Sequence, residues 1–203
     1  MTVFDCTSLA WAAWYGTWLA AVLFSARTRV QHRADVRSPW RIFLGLGLWP
    51  MFVPASRWGD FLNGWAQPLT GLVKPLWTAP GVVTWVWFAL VLTGFAFCWW
   101  ARLHLGRLWS GFTTLKDGHR LIETGPYGIV RHPIYSGIVF SGLMTAALNA
   151  NLLTALGVVS LAVGVTMIAR IEERFLVEQL GADVYCPYAR RVPMLAPGWP
   201  PRS

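Results

Sequence analysis

Five apolar stretches free of Asp, Glu, Lys and Arg organise the chain, and polar segments separate them. They are Ser8–Ser25, Ile42–Pro54, Gly81–Ala101, Ile134–Leu148 and Leu152–Ala169, of 18, 13, 21, 15 and 18 residues. A helix crossing about 30 Å of hydrocarbon needs roughly 20 residues. The first, third and fifth stretches reach this with their flanks. The second and fourth must borrow flanking residues such as Trp40 and Pro133, or cross only part of the bilayer. The pattern predicts an all-α integral membrane protein with about five transmembrane helices. Asn149-Ala150-Asn151 reads as a tight turn, so 134–169 should form a C-terminal helical hairpin. Gly137, Ser141 and Thr145 on one arm, and Ser160 and Gly164 on the other, predict that the two arms pack closely on each other. The first stretch reads as a mature helix rather than a cleaved leader, because residues 1–7 hold Asp5 and no basic residue.

Composition supports a membrane setting. Of 203 residues, 55% are hydrophobic and 13% charged, against about 25% charged in soluble domains. Mean hydropathy is +0.46. A disordered chain is excluded, since it would need low hydrophobicity. The net charge of +8 would suggest nucleic acid on a soluble domain, but its distribution gives it another meaning. Segments 26–41, 102–133 and 170–203 hold 15 of the 17 basic residues, and the alternate segments hold only Arg57 and Lys74. The positive-inside rule then places the N-terminus outside and the C-terminus in the cytoplasm. No nucleic-acid partner is implied. Trp58, Trp65 and Trp77 place the loop 55–80 along the outer interface. Cys6, Cys98 and Cys186 lie far apart, and neither a disulfide framework nor a metal site is expected.

Polar chemistry collects in two cytoplasmic segments. In Leu115–Gly137, Asp117-Gly118 between Thr114-Leu115 and Leu121-Ile122 suggests a small hairpin. A turn cluster Gly125-Pro126-Tyr127-Gly128 follows, then Arg131-His132-Pro133 at a helix start, with Tyr135 and Gly137 in the next turns. Pro133 suits the first helical turn, and free N–H groups there attract anions. In Ile168–Pro193, the fifth helix runs into adjacent carboxylates Glu172 and Glu173, should stop near Gly181, and leads to a short tail with Tyr185, Tyr188, Arg190 and Arg191. Each segment has a plain alternative. Arg131 and His132 would serve as interfacial anchors, and Glu172 and Glu173 would pair with Arg170 and Arg174 on their own helix. Taken together, these groups suit a zwitterionic or anionic cofactor at the inner interface. Glutamate would take an amino group, arginine a carboxylate, and tyrosine faces a purine or a sulfonium cation.

The run GPYGIVRHPIYSG, followed by RIEERFLVEQLG and then YCPYARRVP, resembles the isoprenylcysteine carboxyl methyltransferase family, with a related pattern in the phospholipid N-methyltransferases. The similarity covers roughly residues 90–195. The resemblance implies a multi-span methyltransferase that uses S-adenosylmethionine, held by the last helices and a cytoplasmic tail. It implies two parts: N-terminal helices and outer loop over 1–80, and a methyltransferase core over 81–203. It places cofactor contacts at His132, Tyr135, Gly137, Glu172, Glu173, Tyr185, Tyr188 and Arg190, and catalytic or acceptor-steering roles at Arg131, Glu173 and Arg191. The departure is Cys186-Pro187 between the two tail tyrosines, which bears on how the tail folds.

A carboxylate acceptor is already anionic at neutral pH and needs no general base. The protein must align the reacting atoms and exclude water. The implied acceptor is lipophilic and enters from the bilayer. An amine acceptor would need a base for its departing proton, and His132 or a glutamate could serve. An NADPH-dependent sterol-type reductase, and a non-enzymatic scaffold or transporter subunit, are the other readings. The first would bind NADPH instead, and the second no nucleotide-type cofactor.

Overall fold

A computed structural model describes residues 2–22, 28–31, 39–53, 55–106, 114–116 and 121–198. Seven α-helices are described: α1 (Val3–Val22), α2 (Trp40–Phe52), α3 (Ala55–Trp65), α4 (Gly81–Leu105), α5 (Pro133–Asn149), α6 (Leu152–Leu180) and α7 (Ala182–Arg191). Short 3-10 turns cover Gln67–Val73 and Gly125–Gly128. Among the described residues the fold is helical apart from one small antiparallel pairing, β1 (Thr28–Gln31) with β2 (Thr114–Lys116), which sets Thr28 against Lys116 and Gln31 against Thr114. The hairpin expected around Asp117-Gly118 is therefore corrected. Thr114–Lys116 takes a partner from the first interhelical segment, and Leu121-Ile122 is not a strand. The tip, 117–120, lies outside the described residues.

The five charge-free stretches fall on α1, α2, α4, α5 and α6, with α1 starting five residues earlier and α6 running eleven residues further. Two of these helices, α4 and α6, are long and apolar enough to cross a membrane. With 13 and 17 residues, α2 and α5 fall short of the roughly 20 a full crossing needs. Large apolar side chains stand exposed on all five, among them Leu19, Ile42, Val82, Leu143 and Val159. In water this would be an unusually large exposed apolar surface; against lipid it is the expected one.

Element boundaries follow local chemistry. Helix α4 starts after Pro80 and ends at Gly106, whose φ of +58 is left-handed. Pro133 sits in the first turn of α5, where its missing N–H is harmless. The turn after α5 is as tight as expected. Ala150 is left-handed, and the Asn151 side chain caps α6 by accepting from the Thr154 amide at 2.9 Å.

The close packing differs from the sequence expectation. Gly137 and Ser141 of α5 face α4, and it is Gly142 that faces Leu161 and Val158 of α6. A Cβ on Gly137 would lie 2.5 Å from Cys98 Sγ and 2.7 Å from the Gly94 carbonyl oxygen. The Ser141 hydroxyl donates to the Val91 carbonyl at 2.9 Å. The small residues of α6 face α2. Cβ atoms on Gly157 and Gly164 would lie 3.1 Å and 3.0 Å from the Gly47 carbonyl oxygen and the Leu44 amide. Close backbone approach is what small residues permit in apolar surroundings. Helix α1 completes the core with Trp11, Trp14 and Trp18, which lie against Phe95 and Trp99 of α4. The Trp11 indole N–H donates to Thr145 Oγ1 at 3.0 Å. Helices α1 and α2 thus share one core with α4 and α6.

Gly137 is consequently a packing residue. Gly137→Val should destabilise the chain by about 1–3 kcal/mol, the range for overpacking, because a backbone carbonyl blocks the new side chain. Thermal unfolding in detergent would measure this. A variant as stable as the parent would refute the close α4–α5 approach.

Candidate active site

The site forms where α5 begins, α6 ends and α7 folds back. Gly181, with φ +91, turns the chain between α6 and α7. The tail expected after Gly181 is a helix. Tyr185 and Tyr188, three residues apart, share its buried face. They form a small apolar cluster with Val192, against Leu176 and Val177 of α6 and Leu121. Pro187 is accommodated within the helix.

Residues after α7 then bind the start of α5. The Arg131 and His132 amides donate to the carbonyls of Pro193 and Met194 at 2.8 and 3.1 Å. The Ser136 hydroxyl donates to the Leu195 carbonyl at 2.6 Å. The amides of Arg131 and His132, just ahead of the first turn of α5, are thus taken by the chain's own carbonyls. Ser136 and the segment Pro193–Leu195 were not among the sequence candidates, since no charge or spacing marks a backbone strap.

Four charged side chains meet beneath this strap. The Arg131 guanidinium is buried. Its Nε donates to Glu173 Oε1 at 2.7 Å, and its Nη1 donates to the carbonyls of Ala189, at 2.7 Å, and Val192. The His132 ring is also buried. Its Nε2 lies 3.2 Å from Glu173 Oε1, and its Nδ1 lies 3.4 Å from Glu172 Oε2. The Tyr135 hydroxyl donates to Glu172 Oε1 at 2.7 Å, and its ring stacks on His132 with centroids 5.6 Å apart. The two glutamates therefore pair across to the start of α5, Glu173 with His132 and Arg131 41 and 42 residues away and Glu172 with Tyr135 37 residues away. Both carboxylates remain partly open, at 25% and 20% side-chain exposure.

Each imidazole nitrogen of His132 faces a carboxylate. Only the imidazolium can donate from both nitrogens. Burial alone would lower the His132 pKa, but the hydrogen bonds and charges of Glu172 and Glu173 outweigh it, and the group lies above its ordinary value. Arg131, His132, Glu172 and Glu173 thus form a cluster with no net charge. Burial, with Glu173 close by, pushes the Tyr185 phenol up. Burial also pushes up Tyr188, whose charged neighbours are Arg131, Glu123 and Glu173.

The linkage has a definite sign. A raised folded pKa means His132 contributes stability that is fully present below its unfolded value, near 6.5, and is lost as pH rises through the folded value. Thermal stability should therefore fall by a few degrees from pH 6 into the alkaline range. This part of the slope should vanish in His132→Gln. An identical pH profile in the variant would refute the imidazolium assignment.

The other sequence candidates fall as follows. Tyr185 and Tyr188 are almost fully buried and present no open stacking face. Tyr188 instead donates its hydroxyl to the Tyr127 carbonyl at 2.8 Å, and Tyr127 stacks on His104. Gly137 lies in the α4 contact described above. Arg190 is exposed on α7. Arg191 is exposed too, on the same last turn, with Nη2 2.6 Å from Glu123 Oε2 and Nε donating to the Pro187 carbonyl at 3.2 Å. Arg131, offered as an acceptor-steering group, has its Nε and Nη1 committed to Glu173 and to carbonyls near the end of α7. Among the described residues there is no group of three or more His, Cys, Asp and Glu that could hold a metal ion.

The chain matches the Isoprenylcysteine carboxyl methyltransferase (ICMT) family over residues 86–178. That stretch includes the Arg131–His132–Glu172–Glu173 cluster and ends before α7. The chain is 27% identical over 171 residues to the Cobalt-zinc-cadmium resistance protein CzcN of Cupriavidus metallidurans, covering 82% of this chain and 64% of that protein. It is 26% identical over 172 residues to the Nickel-cobalt-cadmium resistance protein NccN of Alcaligenes xylosoxydans xylosoxydans, covering 82% and 65%. The match spans a little under two thirds of the length of these relatives. Over residues 86–178, then, the chain is a match to the isoprenylcysteine carboxyl methyltransferase family, the family its motifs resemble.

Proposed function

We propose that the chain is an integral membrane methyltransferase that transfers a methyl group from S-adenosylmethionine to a lipophilic carboxylate acceptor. The observation that carries this reading is the charge-balanced cluster of Arg131, His132, Glu172 and Glu173, set within the family-matched stretch at the end of long apolar helices. The donor set suits the cofactor. Two partly open carboxylates beside the Tyr135 ring offer acceptors for an ammonium group and an aromatic face for a sulfonium. When bound, S-adenosylmethionine supplies an electrophilic methyl group.

The chain's own residues would do the rest. Glu172 and Glu173 would hold the cofactor's cationic groups, with Tyr135 and His132 fixing the carboxylates. Arg131 would act by positioning, since it holds Glu173 and the end of α7 together. Tyr185 and Tyr188 would support α7 from its buried side. Arg191, exposed at the rim, would steer the acceptor carboxylate. His132, with both nitrogens committed, is not a free base, which favours an acceptor that arrives already ionised.

This reading includes five membrane helices, with α2 and α5 crossing by means of flanking residues. The N-terminus would lie outside and the C-terminus in the cytoplasm. The segment 1–80 would serve as scaffold for a methyltransferase core over 81–203. Calorimetry on the purified chain should show binding of S-adenosylmethionine and none of NADPH. Labelled methyl should appear on a prenylated cysteine or fatty-acid probe rather than on an aminolipid. NADPH binding, or methylation of the aminolipid alone, would overturn the assignment.

A further inference from the structure

We infer that Glu123 is a positioning residue for acceptor recognition, acting through Arg191; this rests on the acceptor-steering role proposed for Arg191. Glu123 lies in the segment between β2 and the 3-10 turn at Gly125, 68 residues before Arg191. Its Oε2 accepts from Arg191 Nη2 at 2.6 Å, and the Pro187 carbonyl accepts from Arg191 Nε at 3.2 Å. A guanidinium has five N–H donors in a rigid plane. These two bonds lie along the Nε–Nη2 side of the group, which orients the plane and leaves Nη1 and one Nη2 hydrogen for a ligand. The Arg191 side chain is 67% exposed and Glu123 38%, so the remaining edge is reachable.

The pair also stands at the rim of the site. Ala189 in the last turn of α7 and Val192 just after it, on either side of Arg191, are clasped by Arg131 through their carbonyls. Tyr188, on the same helix, is fixed to the Tyr127 carbonyl four residues after Glu123. An unheld arginine at that place would sample many rotamers. Tied at two points, it presents one edge, and carboxylate recognition by two parallel N–H bonds depends on that orientation.

Exposed ion pairs are weak, so the effect on acceptor binding should be modest, about two- to five-fold. The test uses the full chain in nanodiscs, with N-acetyl-S-farnesylcysteine as the acceptor probe and labelled S-adenosylmethionine. Glu123→Gln should raise the acceptor KM about two- to five-fold and leave the cofactor KM unchanged. Glu123→Asp should recover part of the loss. In Arg191→Gln, adding Glu123→Gln should have no further effect. A purely structural pair would move both KM values or neither. If Glu123 merely dampens positive charge at the rim, Glu123→Gln would lower the acceptor KM. Either result overturns the inference. If Arg191→Gln leaves the acceptor KM unchanged, the steering role of Arg191 fails. If Arg191→Gln raises it and Glu123→Gln does not, only the inference about Glu123 fails.

Discussion

Arg131→Leu is expected to destabilise the protein by about 3–5 kcal/mol, the range for breaking a buried charge pair by removing one partner, and to release α7 from the site. The guanidinium is buried and joins three elements. It holds Glu173 on α6 at 2.7 Å, the Ala189 carbonyl on α7 at 2.7 Å, and the Val192 carbonyl just after it. Its own amide holds the Pro193 carbonyl. Leucine would leave Glu173 with His132 as its remaining cation and two carbonyls near the end of α7 without their donor. Arg131→Lys would keep the charge, but a single ammonium cannot reproduce the fork that reaches a carboxylate and two carbonyls together. It should recover only part of the loss. The measurements are thermal unfolding in detergent and proteolysis rates at 181–198. In a double-mutant cycle, Arg131→Leu with Glu173→Leu should cost less than the sum of the single changes, since the second removes the carboxylate that the first strands. Additive costs, or a tail still protected in Arg131→Leu, would refute the clasp.

Much of the helical frame was legible because lipid and core impose one rule on the sequence, the exclusion of charge. Gaps between charged residues marked α2, α4 and α5 to within a few residues and the middle of α1 and the first part of α6, and Pro133 and Gly181 marked two of the ends. Partner choice was not legible. A Gly-xxx-Ser spacing states that a backbone can come close, without stating to what. Gly137 and Ser141 meet α4 because Gly94 and Cys98 present the complementary small surface there. Local charge pattern misled in a similar way. Glu172 and Glu173 sit between Arg170 and Arg174 in sequence, yet they pair with Arg131 and His132, where burial makes each contact stronger than an exposed pair on one helix. The tail helix was hidden by Pro187, normally a helix breaker. Burial of Tyr185 and Tyr188 on one face supports the helix around it. The strap at Pro193–Leu195 uses only backbone carbonyls, and such bonds leave no mark in side-chain chemistry.

Glu173→Ala should lower methyl transfer by roughly 10²-fold or more, the scale at which a preorganised electrostatic group contributes. Glu173 is the one carboxylate that both buried cations share, with Arg131 Nε at 2.7 Å and His132 Nε2 at 3.2 Å on the same oxygen. Its removal leaves Arg131 and His132 with the single carboxylate of Glu172, so the cluster turns net positive and a site proposed to take cationic groups from S-adenosylmethionine would instead repel them. Loss of cofactor affinity should therefore precede loss of fold. Glu173→Gln separates the two effects. The amide can still accept from Arg131, so α7 should stay docked and thermal stability should fall less than in the alanine variant. Neutralising the carboxylate still turns the cluster from balanced to net positive, and cofactor binding should weaken nearly as much. Calorimetric titration with S-adenosylmethionine, beside unfolding curves for both variants, checks this. If Glu173→Gln binds the cofactor like the parent while Glu173→Ala does not, Glu173 acts by holding α7 and not by its charge. The ammonium and sulfonium groups would then have to rest on Glu172, which Tyr135 and His132 already hold and which is likewise partly exposed.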